Sequence, residues 1–240
     1  MTIPRCPRVI VFDVNETLSD MAPMATRFDD VGASPQLFPT WFASVLRDGF
    51  ALAAADAARP FATVGAGALR TLLSEATLSR DTDDAVEHIM TGFTDLDVHP
   101  DVVEGVRALA ALGIRLVTLS NGSASVAQTL LDRAGVRGEF ETLLSVEAAG
   151  RWKPHPQSYR YALDQCRAEP EDTMLVAVHP WDIDGAHRAG MTTAWIDRGN
   201  SPYPTYFAAP DVHASSLPHL AQLLGERGRE DSERRRSDSE

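Results

Sequence analysis

The stretch Arg8-Val9-Ile10-Val11-Phe12-Asp13 decides the fold. Its β-branched and aromatic run has no polar alternation, the pattern of a strand buried on both faces of a parallel sheet, and it stops on a carboxylate. Downstream the period changes. From 21 to 98 the chain reads as helical, with Ala-rich stretches such as 66–78 and the segment Trp41-Phe42-Ala43-Ser44-Val45-Leu46, and strands are hard to find. After His99-Pro100 the alternation resumes: a helix through Val106 and Leu109, a strand at 115–119, a helix at 125–134 and a short strand at 142–144. A helix at 157–167, a strand at 174–178, a helix at 183–189 and a strand at 193–196 complete the series. Repeated βα units predict an α/β fold, a Rossmann-like doubly wound parallel sheet with helices on both faces. The expected organisation is a core of residues 1–20 and 99–224 with a helical block, 21–98, inserted after the first strand. A last helix at 216–224 precedes 225–240, nearly all Arg, Glu, Asp, Ser and Gly. That segment has no apolar surface to offset ordering entropy, so a disordered tail is expected there.

A chain of 240 residues suffices for one sizeable core, and 44% apolar with 23% charged residues is ordinary globular composition. The net charge of -12 would repel a phosphate backbone, which argues against nucleic acid as a partner. A small acidic substrate then needs a local cation. Cys6 and Cys166 lie in different halves of the chain without ligand-like spacing, which suits a reducing interior. No apolar run approaches a membrane span and residues 1–8 carry no secretory pattern, so a cytoplasmic location without a membrane partner is expected.

Four polar clusters fall where the strands should stop: Asp13-Val14-Asn15-Glu16-Thr17, Ser120-Asn121-Gly122, Lys153-Pro154 and His179-Pro180-Trp181-Asp182. Singly, each has a plain reading as a cap, a turn or a solvated charge. Strand ends of one parallel sheet converge, however, so all four in this order describe one pocket. The residue types suit covalent catalysis. Asp13 would attack an electrophilic carbon or phosphorus, and Lys153 would hold it ionised. Ser120 and Thr17 would donate hydrogen bonds, and backbone N–H groups at 15–18 and 121–122 would bind an anion.

These clusters resemble the four motifs of the haloacid dehalogenase superfamily. Phe12-Asp13-Val14-Asn15-Glu16-Thr17-Leu18 matches the first, Leu119-Ser120-Asn121-Gly122-Ser123 the second, Lys153-Pro154 the third, and Asp182-Ile183-Asp184-Gly185-Ala186 the fourth. The resemblance implies that block 21–98 is the family's helical cap, closing over the site. Superfamily phosphatases carry acids where this chain has Asn15 and Ala177, and neither replacement can supply a general acid or a hard-cation ligand. The chain is more similar to the (S)-2-haloacid dehalogenase branch, which needs no metal. Tyr159, six residues beyond Lys153, and Trp181-Asp182 match that branch. The implied reaction converts short (S)-2-haloalkanoic acids to (R)-2-hydroxy acids through an ester on Asp13, without cofactor.

Two departures stand out. Phe42 falls where the branch has a halide-binding Arg, with Arg47 the nearest Arg downstream, and the motif-four Ser and Asn appear as Ala177 and His179. His179 paired with Glu16 would replace the missing water-positioning group, resembling a His/Glu variant of the branch. The plainer alternative is that His179 caps the following helix while Glu16 faces solvent. The expected catalytic residues are thus Asp13, Lys153, His179, Glu16 and Asp182. Thr17, Asn15, Ser120, Asn121, Phe42, Tyr159 and Trp181 are expected to bind substrate, and no metal ligand is expected. Trp41, Phe42, Phe38 and Leu46 either line a cap pocket or form plain core. Trp152 and Trp195 read as structural, and His99, His155 and His187 as surface residues. The expected partner is a small 2-haloacid, and the branch admits a homodimer. Two other functions stay open: a phosphatase of the same superfamily, and a catalytically degenerate binding protein.

Overall fold

Val9–Phe12 forms β1, every residue of which is fully buried, in a computed structural model that describes residues 6–199 and 201–237. Its neighbours are β2 (Arg115–Ser120) and β4 (Thr173–Ala177), both parallel to it, with Ile10 level with Leu116 on one side and Met174 on the other. With β3 (Phe140–Ser145), β5 (Thr192–Ile196) and β6 (Val212–Ala214), they make a six-stranded sheet of order β3-β2-β1-β4-β5-β6. All neighbouring pairs run parallel. The order reverses at β1, so the crevice beyond the ends of β1 and β4 is the switch point where such sheets bind ligands. β6 is a strand the sequence pattern missed: Val-His-Ala is too short to display a period.

Between β1 and the rest of the sheet come α1 (Met24–Asp29), α2 (Leu37–Ala54), α3 (Phe61–Leu73) and α4 (Thr82–Thr91), closed by a single 3-10 turn at Gly92–Thr94. No strand element interrupts them. Their apolar stripes meet in a cluster in which Trp41 is fully buried, its Nε1–H donating to Gly65 O at 2.9 Å. The remaining helices are α5 (Val102–Ala111), α6 (Ala124–Arg133), α7 (Val146–Ala149), α8 (Pro156–Cys166), α9 (Pro180–Arg188) and α10 (Leu217–Ser237). Local chemistry sets several starts. Ser123 Oγ accepts from Val126 N at the head of α6, while Pro156 and Pro180 occupy first-turn positions that need no donor.

The helical block lies close on the loop that precedes Lys153. A Cβ built on Gly49 of α2 would come within 2.3 Å of the Trp152 ring, so that backbone rests directly against the indole preceding Lys153. Phe61 of α3 stacks on the same ring at 5.8 Å. Trp152 is therefore structural, as expected.

The chain end departs from expectation. α10 continues through residues 225–237, where a disordered tail was anticipated, while residues 238–240, like 1–5, lie outside the described residues. Buried Leu217, Leu220 and Leu224 establish the helix, and a run rich in Arg and Glu then extends it one bond per residue without a new nucleation cost. Gln222 and Glu226, one turn apart, hydrogen-bond at 3.0 Å. Among the described residues no helix is long and apolar enough to cross a membrane.

Candidate active site

Asp13 follows β1 directly, its N–H donating to Val176 O of β4 at 3.0 Å, so the sheet ladder itself fixes the position of its carboxylate. Lys153 arrives from the loop before α8. Its ammonium, with no exposed surface, donates to Asp13 Oδ1 at 2.9 Å and to Asp182 Oδ2 at 2.6 Å. Asp182 lies in the first turn of α9 and takes a second bond, from the Tyr159 hydroxyl, on Oδ1 at 2.7 Å. Thr17 Oγ donates to Asp13 Oδ2 at 2.8 Å while accepting from Val178 N at 3.1 Å, tying the loop after β1 to the end of β4.

The protonation pattern follows from this packing. Burial drives the Asp13 carboxyl upward, but the Lys153 ammonium, His179 and the hydrogen bonds from Lys153 and Thr17 outweigh it and leave its pKa lowered. Asp182 is raised, because burial and the repulsion of Asp13 exceed the pull of the ammonium they share. Burial lowers Lys153 less than its two carboxylate neighbours raise it, and its pKa is raised. Asp13 is therefore the carboxylate kept charged, as a nucleophile requires.

His179 precedes α9, but its side chain caps nothing. Nε2 lies 3.2 Å from Asn15 O and 3.6 Å from both Asp13 Oδ2 and Glu16 Oε2, and the ring stacks on Trp181 at 5.0 Å. The plain reading of His179 as a helix cap is thereby excluded. Glu16 reaches the nitrogen that faces Asp13, so the Asn15 carbonyl, which can only accept, bears on the tautomer more directly than Glu16 does. Glu16 itself adopts φ 60, a left-handed conformation uncommon outside glycine, in which its carboxylate turns toward His179. Burial, with some repulsion from Asp13, raises its pKa against the opposing pull of His179.

The expected substrate-binding residues divide. Asn15 and Ser120 line an apolar cavity of about 280 Å³ between the helical block and α6, together with Val14, the residue after Asp13. Thr17 is spent on the nucleophile. Asn121 clamps the backbone of Lys153, accepting from its N–H at 2.9 Å, and Tyr159 is fully buried against Asp182, so both side chains hold Lys153 and Asp182 in place. Phe42 packs against Phe38 and Trp41 within the helical block, and Arg47 is exposed and paired with Asp48. Neither lines the cavity beside Asn15 or the one beside His179, because the inward stripe of α2 is taken up by its own aromatic cluster. Trp181 is reached instead from the block by Phe50, at 5.0 Å. Of the backbone donors expected to hold an anion, Gly122 N–H is engaged by Ser120 Oγ and Leu18 N–H by Val14 O.

Two residues escaped the sequence reading. His99, expected at the surface, is half buried and donates from Nε2 to Glu16 O at 3.0 Å, supporting the left-handed turn, while burial and Arg198 lower its pKa. Arg198 donates to Thr17 O at 2.8 Å and pairs with Asp101 at 2.7 Å. A second cavity, of about 460 Å³, opens on this side, bounded by Glu16, His99, His179 and Arg198. Both residues stand far from the motifs in sequence, and no local pattern marks them.

A family model described as haloacid dehalogenase-like hydrolase matches residues 7–190. Haloacetate dehalogenase H-2 of Moraxella sp. (strain B) is 34% identical over 125 residues, covering 52% of this chain and 56% of that enzyme, so this match spans about half of the relative's length. (S)-2-haloacid dehalogenase 4A of Burkholderia cepacia is 29% identical over 220 residues, 90% of this chain and 94% of that one. Among solved structures, a dehalogenase with an intermediate complex superposes with a TM-score of 0.84 at 26% identity, covering 92% of this chain and 98% of that chain.

Proposed function

The chain belongs to the haloacid dehalogenase-like hydrolase family, and from that premise we propose that it is a hydrolytic dehalogenase converting (S)-2-haloalkanoic acids to (R)-2-hydroxy acids through an ester on Asp13. The observation that carries this reading is the buried Asp13 carboxylate held charged by the Lys153 ammonium at 2.9 Å, with His179 and Glu16 adjoining it.

Asp13 attacks C2 from the side opposite the halogen. A carbon–oxygen bond forms, the carbon–halogen bond breaks, halide departs with the electron pair, and C2 inverts. Lys153 keeps the nucleophile ionised and aimed, Asp182 holds the Lys153 ammonium, and Tyr159 keeps Asp182 in place. Water then attacks the ester carbonyl carbon of Asp13, its proton passing to Glu16, the member of the His179 and Glu16 pair whose raised pKa suits a proton acceptor. The bond between that carbon and the bridging oxygen breaks. The departing alkoxide takes up the proton held by the pair and leaves as the 2-hydroxy acid, with an oxygen that came from Asp13, and the carboxylate is restored with an oxygen from water whose second proton passes to solvent.

The superfamily's phosphatases hold magnesium beside the nucleophile, and the donor set here does not fit that ion. Asn15 and Ala177 replace two acids, while Asp13 and Asp182 already share an ammonium at 2.9 and 2.6 Å. The same proposal includes a small-molecule 2-haloacid as partner in place of nucleic acid, a helical block acting as a cap, a cytoplasmic location, and a homodimer of the kind common in the branch.

Intact mass after incubation with a 2-haloacid tests the mechanism. Halide release persists in EDTA, Asp13→Asn never gains an adduct, and His179→Ala accumulates the ester mass. An adduct on Asp13→Asn would place the nucleophile elsewhere, and magnesium-dependent phosphate release without halide release would replace this reading with the phosphatase.

A further inference from the structure

The apolar cavity bears on which 2-haloacid is turned over. Among its lining residues Val14 and Ser120 are buried, the first following Asp13 in the chain and the second ending β2 beside β1. The same cavity is lined by Phe61 and Phe93 of the helical block, by Val126 of α6 and by the exposed Ala62. At about 30 Å³ per water, its 280 Å³ is room for roughly nine waters, far more than the methyl of a 2-halopropionate occupies. The wall is apolar, and an apolar chain laid on it gains about fourfold in binding for each methylene removed from water. The exposed carboxylates Glu87 and Glu147 belong to the same lining, so a substrate with a second acidic group at its far end meets repulsion from them.

Resting on the dehalogenase reading above, we infer that the favoured substrates are 2-haloacids carrying a medium-length, uncharged apolar substituent at C2, with that substituent in this cavity and the carboxylate at the Asp13 end. The short acids suggested by the sequence are the minimal members of this class. Selectivity arises because the binding gained along the apolar wall is available to longer chains only, and a terminal charge forfeits it.

The test compares kcat/KM for halide release from (S)-2-bromopropionate, (S)-2-bromohexanoate and (S)-2-bromoadipate, in wild type and in Ala62→Trp. The substitution is at an exposed helix position, where added bulk narrows the cavity without entering the core. The hexanoate is expected to exceed the propionate at least tenfold and the adipate to fall below the hexanoate, both read on the wild-type protein. In Ala62→Trp the hexanoate-to-propionate ratio is expected to drop at least fivefold. A wild-type kcat/KM that is flat or falls with chain length, an adipate equal to the hexanoate, or an unchanged ratio in Ala62→Trp would overturn the inference while leaving dehalogenation standing. No halide from any of the three acids would overturn the dehalogenase reading, and the inference with it.

Discussion

Replacing Lys153 by Met tests the centre of the site most directly, because the new side chain keeps much of the volume and removes only the charge. Lys153 has no exposed surface, and its ammonium is bonded to both Asp13 and Asp182. Without it two carboxyl groups face one another in the interior, and breaking a buried ion pair by removing one partner costs about 3–5 kcal/mol. That is a large share of a domain stability of about 5–15 kcal/mol. The pH dependence gives the sharper test. In the wild type the lowered pKa of Asp13 contributes stability that is present above its ordinary value of 3.8 and is lost as pH falls through the lower folded value. In Lys153→Met, burial is the chief remaining influence on Asp13 and Asp182 and raises both. Stability from a raised carboxyl is fully present below the unfolded pKa and is lost as pH rises through the folded one. The deficit of the variant should therefore be largest near about pH 8 and shrink toward about pH 5, measured as urea unfolding free energy. Ester formation at neutral pH should fall about tenfold for every unit by which the Asp13 pKa exceeds the assay pH. A variant with wild-type stability at both pH values and an undiminished rate of ester formation would refute the assignment of Lys153 as the group that keeps Asp13 charged.

Tyr159→Phe removes the 2.7 Å bond to Asp182 inside a fully buried pocket and should cost about 1–3 kcal/mol in urea unfolding, with kcat reduced and KM little changed. Glu16→Gln should abolish the acid limb of the kcat profile if ester hydrolysis is rate-limiting. In the wild type that limb should lie above the ordinary glutamate value of 4.5, because the folded pKa is raised; a limb that survives the substitution would point to another group. Gly49→Ala places a Cβ within 2.3 Å of the Trp152 ring and should lose about 1–3 kcal/mol, visible as a lowered thermal midpoint. A neutral outcome there would mean that α2 shifts freely against the loop that carries Trp152.

Much of the architecture is legible in the sequence. The buried run ending at Asp13, the βα alternation after His99 and the helical block between them were readable because each is a local periodicity. Local polymer chemistry misled at the chain end, where a charged run continued a helix begun by buried leucines. The four polar clusters could be brought together from sequence because parallel strands all end on one side of their sheet, and Asp13 meeting Lys153 across 140 positions follows from that rule.

What tertiary packing alone decided is the job of each polar side chain once it arrives. Asn121 and Tyr159 look like substrate ligands by position, yet they face inward onto Lys153 and Asp182. His99 and Arg198 look incidental, yet they support the loop that carries Glu16 and Thr17. Residue type and order are one-dimensional and specify which groups reach the sheet's end. Which of them turns toward the cavity and which toward a neighbour depends on side-chain directions and interatomic distances that the chain acquires only when distant segments pack.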